Sequence, residues 1–292
     1  MTYDPAIHSG RHLLKHMLGC LERLLPGSDG PDVLIVLNYH GTPRKFLHGL
    51  REQLNYYGDH FTFLAPSDLG PFYEGKLAAP ARPRLLLTFD DGLKNNLNAA
   101  EMLAAAGIHA FFFVIPEFVD TAESDQSTFY RRYVRQAINP AIDSEVADFT
   151  ALSWKDIRSL RSEGHAIGSH SSTHTLLATD DFDKSRDEIE ESRRRIAVGL
   201  EAPLETVNAY CAPNDTLMST GETQLRLVRE NYRFFFTSLP GTNKPASDTM
   251  FIRRSNVEVF WLPGAVAYSI GRFDRLRWRK QIAAYSQMGC ET

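Results

Sequence analysis

Two adjacent aspartates, Asp90 and Asp91, end the run LLLTFDDG at residues 85–92, and two histidines four apart, His170 and His174, close GHAIGSHSSTH at residues 164–174. A core strand does not need a carboxylate pair at its tip, and two like charges side by side repel. If His170 and His174 sit on a helical turn they face the same way, and both can then reach one metal ion. Two imidazoles and one carboxylate leave coordination positions open to water, which suits a catalytic rather than a closed structural site. The spacing alone says little, because surface histidines often fall this way. His12 and His16 repeat it among basic residues and serve as a control. What separates His170 and His174 is their place after a strand with small residues, where backbone and ligands can approach closely.

The elements that must carry these groups are legible as a pattern. Short apolar, β-branched or aromatic runs recur at 33–39, 84–89, 110–116, 165–170, 207–213, 233–238 and 257–261 (VEVFW). Helical patterns separate most of them, at 46–57, 95–107, 154–164, 183–200 and 222–231. Continuous apolar strands alternating with amphipathic helices imply parallel strands covered by helices. About seven such units in 292 residues fit a single α/β barrel, in which chemistry gathers at the C-terminal ends of the strands. TFDDG, HSSTH and the polar residues after AYCAP all hold that position. The expected organisation is an N-terminal helical extension over residues 1–30 and a barrel over 31–292. The segment at about 117–150 is long for a connection between strand and helix and reads as a helical insertion near the site.

A formal net charge of −4 argues against nucleic acid or an anionic membrane as the main partner. Three scattered cysteines, Cys20, Cys211 and Cys290, make no disulfide framework and point to a reducing, cytoplasmic setting. No run approaches the roughly 18 apolar residues of a membrane span. Leucine and methionine at helical spacing over residues 11–25 form an amphipathic helix, interrupted by Lys15, Glu22 and Arg23, rather than a signal peptide. That helix packs on the body of the protein or lies on the inner membrane surface as a peripheral contact.

TFDDG followed by HSxxH, with YCAPND at 210–215 and RRSNV at 253–257, resembles the polysaccharide deacetylase family (carbohydrate esterase family 4). The stretch from LSWKDIRSL to HSSTH, residues 152–174, is similar to the family's helix, strand and ligand block nearly throughout, and the resemblance runs over about three quarters of the chain. It implies a distorted (β/α)7 barrel, with Asp90 as catalytic base and with Asp91, His170 and His174 as ligands of a divalent metal. Zinc is the expected ion, with cobalt or nickel able to substitute. A dication beside Asp91 would also favour an ionised Asp90. The family's oxyanion donor, a backbone N–H after the loop proline, maps onto Asn214.

Two departures from the family's common pattern stand out. Cys211 occupies the place of an arginine that orients the base, and no histidine follows His174 to act as general acid. VLNYHG and RRSNV are closest in pattern to the subgroup acting on poly-N-acetylglucosamine, which implies His40 as the acid and Arg254 as the group orienting Asp90; the other readings are a hydrogen-bonded histidine at a strand end and an arginine bridging surface acids. The expected activity is removal of N-acetyl groups from an acetamido sugar in a glycan, glycolipid or glycoconjugate precursor. The same machinery would serve an O-deacetylase, a deformylase or another amide hydrolase, and a catalytically inactive glycan-binding barrel is the alternative from another class.

Overall fold

The apolar runs become the strands of one sheet in a computed structural model that describes residues 10–22, 30–134, 149–175, 181–213, 221–271 and 278. The strands are β1 (Leu34–Tyr39), β2 (Thr62–Phe63), β3 (Arg84–Phe89), β4 (Phe111–Val114), β5 (Ala166–Ser169), β6 (Ala209–Cys211), β7 (Phe234–Phe236) and β8 (Ser255–Asn256). Every pairing among them is parallel, in the order β7-β6-β5-β4-β3-β1-β8, with the short β2 beside the start of β3. The ring closes through residues 252–257. Ile252 N–H donates to the Phe235 carbonyl and Arg254 N–H to that of Leu239, while Val257 N–H donates to Asn38 on the other side. The chain is therefore a single-domain, distorted (β/α)7 barrel.

The alternation of a strand sorts its residues between two cores. Leu34 and Val36, Leu86, Phe111 and Phe113, Ala209 and Cys211, and Phe234 and Phe236 pack together inside the ring. Their neighbours in sequence, among them Ile35, Leu37, Leu85, Leu87, Phe112, Tyr210 and Phe235, face outward and pack with Leu50, Tyr57, Leu103, Ile157 and Leu227 of the surrounding helices. Leu64, Leu69 and Phe72 join the inner cluster from the segment after β2 and fill the N-terminal end of the ring. The interior holds so much aromatic volume that β5 must be thin. A Cβ at Gly168 would lie 2.4 Å from the Phe113 ring.

The covering helices include Leu47–His60, Asn96–Ala105, Trp154–Ser162 and Glu222–Asn231, close to their expected bounds. The helix at Trp154 starts where Ser153 and Asp156 form a capping box, with the Asp156 N–H donating to the Ser153 hydroxyl and the Ser153 N–H to Asp156. Residues 182–199 divide into Phe182–Arg186, a π-turn at Asp187–Glu191 and Ser192–Gly199. Within the 117–150 segment, helices cover Pro116–Asp120 and Glu123–Phe129 and a π-turn covers Tyr130–Val134, while residues 135–148 lie outside the described residues. At the N-terminus the helix is Gly10–Glu22 and packs on Pro263–Ile270. No described helix is long and apolar enough to cross a membrane.

One expected strand is misplaced. VEVFW is not extended, because Val257 makes the last ladder bond and a turn follows, closed by Trp261 N–H donating to the Glu258 carbonyl. The last strand comes just before it, in the segment that carries Arg254.

Candidate active site

The C-terminal mouth of the ring opens into a cavity of about 580 Å³, lined by Asn38, His40, Asp90, Asp91, Tyr130, His170, His174 and Arg254, with Lys15, Glu258 and Trp261 further out. Asp90 and His170 each follow a strand and extend its ladder by one bond, Asp90 N–H donating to the Tyr39 carbonyl and His170 N–H to that of Val114. Their backbones are thus fixed by the sheet itself.

Strict alternation would send Asp90 and Asp91 to opposite faces. The chain avoids this because Asp91 adopts a left-handed conformation, φ 71°, and Gly92 follows at φ 68°. Asp91 turns back over the mouth that Asp90 already faces. Left-handed backbone costs a non-glycine residue roughly 1–2 kcal/mol, and Asp tolerates it better than most. Ser171 (φ 61°) and His174 (φ 64°) share the conformation, so of the five described non-glycine residues with positive φ two line this cavity and a third, Ser171, follows its His170. The histidines therefore meet across an irregular loop and not on the helical turn expected from their spacing. Their rings stand 4.9 Å apart, with His174 N–H donating to the Ser171 hydroxyl.

Each imidazole is oriented by a carbonyl. His170 Nδ1 lies 2.9 Å from the Cys211 carbonyl oxygen, and His174 Nδ1 lies 3.1 Å from that of Tyr133. Nδ1 thus serves as the donor, and both Nε2 atoms face Asp91 Oδ1, at 3.5 and 3.7 Å. The other oxygen, Oδ2, accepts from the Tyr130 hydroxyl at 2.7 Å. A cation fits this set. Ligands about 2.0–2.2 Å from one tetrahedral ion stand roughly 3.3–3.6 Å from each other, and the two histidine nitrogens and the Asp91 oxygen lie within 4.8 Å of one another. Carbonyl partners on the remote ring nitrogens are the usual support of metal-ligating histidines.

Asp90 is held differently. Arg254, wholly buried, donates from Nη1 to Oδ1 at 2.8 Å and from Nη2 to Oδ2 at 2.9 Å. Its remaining donors reach the Thr237 carbonyl, the Thr88 hydroxyl and, at 2.7 Å, the Cys211 sulfur. All five N–H groups of the guanidinium are placed. The departure at Cys211 now has a cause, since the cation comes from across the ring and the small thiol fills the space beside it.

Burial opposes ionisation of Asp90, but the guanidinium of Arg254, with His170 and His40 behind it, holds the carboxyl below its ordinary range. Burial also works against Asp91, where the His170 contact and the charges of His40 and His174 prevail. Burial and the neighbouring His170 push His174 down to about 4, so it is neutral. His170 goes the other way; burial would lower it, but Cys211, Asp90 and the Asp91 contact lift it well above the imidazole norm. The two buried carboxylates thus draw a cation to this point, whether a proton on His170 or a metal ion between the ligands. Burial pushes the Cys211 thiol up, which removes it as a nucleophile.

Of the residues singled out in the sequence, Asp90, Asp91, His170, His174, His40 and Arg254 border this one cavity, and Asn214 lies outside the described residues. The control pair does something else. His12 packs on Trp261, and the Leu262 N–H donates to its Nε2, fastening the N-terminal helix to the barrel. Tyr130, the Tyr133 carbonyl, Lys15 and Trp261 were not anticipated. Gln53, buried in the helix Leu47–His60, donates to the carbonyls of Glu258 and Trp261 and fixes that outer wall.

Residues 78–219 match the family model described as polysaccharide deacetylase. No curated protein matches the sequence. The fold is similar to that of the Streptococcus pyogenes deacetylase PplD in complex with acetate, at 17% identity and TM-score 0.60 over 82% of this chain and 99% of that one. It is also similar to the deacetylase domain of BpsB from Bordetella bronchiseptica (19% identity, TM-score 0.61, 80% of this chain and 98% of that one). IcaB from Ammonifex degensii gives 19% identity and TM-score 0.61, over 82% of this chain and 97% of that one.

Proposed function

We propose that the chain, whose residues 78–219 match the polysaccharide deacetylase model, is a carbohydrate deacetylase that removes N-acetyl groups from an acetamido sugar with a divalent metal, zinc by default, and Asp90 as base. The observation that carries this reading is the division of labour between two adjacent carboxylates. Asp91 faces two imidazole Nε2 atoms, while Asp90 is clamped by a guanidinium and points into the same mouth.

Asp91, His170 and His174 would hold the ion, which when bound polarises an amide carbonyl and acidifies water beside it. Asp90 takes a proton from the attacking water. The clamp keeps Asp90 ionised and aimed, at some cost in basicity. His40, which follows β1 and lines the same cavity, gives a proton to the leaving amine, the role left open by the lack of histidine after His174. The backbone N–H of Asn214 is the candidate oxyanion donor by family resemblance.

Acetate release from N-acetylglucosamine oligomers and from N-acetylated glycolipids tests the reading. Chelation should abolish release, zinc should restore it, and Asp90→Asn should lower kcat by at least about a hundredfold while metal content stays intact. Full activity in Asp90→Asn would sink the base assignment. Release from O-acetylated sugars alone would move the reading to ester hydrolysis.

A further inference from the structure

The N-terminal helix Gly10–Glu22 is amphipathic the wrong way round for a helix packed on a water-soluble barrel. Its inward face carries His12, Lys15, His16 and Gly19, and its outward face carries Leu13, Leu14, Met17 and Leu21. Leu14, Met17 and Leu21 are 56, 57 and 57% exposed. The contact beneath is made by small residues. A Cβ at Gly19 would lie 1.8 Å from the Gly264 carbonyl oxygen, and one at Gly264 would lie 2.5 Å from that of His16. Close packing through glycine with leucine turned outward is the habit of helices in lipid, where leucine gains nothing by leaving its surroundings. In water the same arrangement leaves four large apolar side chains wet.

Charge identifies the surface this face suits. Three segments contribute to the cavity wall: the helix of residues 10–22 through Lys15, residues 40–46 after β1 through His40, and residues 130–134 through Tyr130 and Val134. Together they contain Arg11, Lys15, Arg44, Lys45, Arg131 and Arg132 against one acidic residue, Glu22 at the end of the helix, with Glu258 the one acid of the outer wall, in a chain whose acids outnumber Lys and Arg by 36 to 32. Lys15 Nζ stands 5.1 Å from the Trp261 ring centroid, inside the wall. We propose that the mouth of the barrel docks on an anionic lipid surface through the outward face of this helix, so that substrate is taken from molecules held at that surface. The helix, about 20 Å long, lies flat, and the basic rim faces the headgroups. This goes beyond the deacetylation reading and its first readout does not depend on it.

The experiment is sedimentation of the full chain with vesicles of phosphatidylcholine, alone or mixed with phosphatidylglycerol. Wild type is expected to pellet with the mixed vesicles, and more weakly as salt rises. The pair Leu14→Glu and Met17→Glu should cut the bound fraction roughly tenfold or more without changing thermal stability or turnover of a soluble oligosaccharide. Arg44→Glu with Lys45→Glu should reduce binding to the mixed vesicles only. Wild type that stays in the supernatant at low salt, or pellets equally with and without Leu14 and Met17, overturns the proposal. So does a wild-type dimer, seen by light scattering, that the Leu14 and Met17 changes dissolve while vesicles bind neither form, because a second copy would then cover the helix. Vesicle binding with no acetate release leaves docking standing and removes the activity alone.

Discussion

Arg254 grips both carboxylate oxygens of Asp90, at 2.8 and 2.9 Å, from the strand segment that closes the barrel ring. The pair is fully desolvated and planar on both sides, the geometry for which guanidinium is suited and ammonium is not. Removing the cation leaves a buried carboxylate without its partner, which costs about 3–5 kcal/mol. Arg254→Met is therefore expected to lower stability by that amount in urea unfolding. Arg254→Lys should retain part of the stability and lose most of the turnover, since one ammonium cannot hold both oxygens. Equal kcat in Arg254→Lys would show that the aim of Asp90 does not matter.

Tyr130 donates to Asp91 Oδ2 and leaves Oδ1 for the two imidazoles. Tyr130→Phe frees Asp91 to rotate while keeping the aromatic contacts with Phe118 and Phe149. Affinity for zinc, measured by competition with a chelator, should fall about 10- to 100-fold with little change in melting temperature. Unchanged affinity would make Tyr130 a packing residue only.

His165 sets an acid limit on stability away from the site. Its Nδ1 accepts the Ala110 N–H at 3.1 Å, so the ring is needed neutral. Burial, reinforced by His109, pushes it down to about 4, whereas an unfolded histidine titrates near 6.5. Between these values the unfolded chain holds a proton that the folded chain lacks, so stability is full above about pH 6.5 and is lost as pH falls towards 4. His165→Gln should flatten the pH dependence of the unfolding midpoint across that window. A slope identical to wild type would refute the assignment.

Gly168 is required by Phe113 rather than by backbone freedom. Gly168→Ala places a methyl group in the Phe113 ring and should cost about 1–3 kcal/mol. Phe113→Leu, destabilising alone, should be less so in the double variant, and simple additivity in the cycle would disprove the contact.

The sequence shows most clearly what is set locally. Arg84–Phe89 is the expected strand to the residue, because five apolar or β-favouring residues follow Arg84 and run to a tip marked by two acids. The match to the polysaccharide deacetylase model over residues 78–219 was legible because TFDDG and HSxxH are short and ordered. The left-handed turn at Asp91 was not, since nothing short of the neighbouring ladder forces an aspartate into φ 71°. Arg254 reaches Asp90 across 164 residues, a contact no periodicity records, and it could be placed only by resemblance. Tyr130 sits in an insertion whose aromatics follow no readable spacing. VEVFW misled because its alternation is real, with Val257 and Val259 buried, yet the ladder ends at its first residue, Val257.

The clamp on Asp90 and the closure of the ring use the same few residues. Asn38 and Asn256, joined at 2.9 Å across 218 residues of sequence, mark the seam, and Arg254 lies two residues before it. Contacts so distant in sequence are among the slowest for a chain to make. Every strand from β1 to β7 can pair, and Asp90 and Asp91 can reach the mouth, while the seam is still open. A barrel refolding from denaturant should regain its far-ultraviolet dichroism first and its turnover only when the last strand zips in, so activity is the clock for the final step of folding.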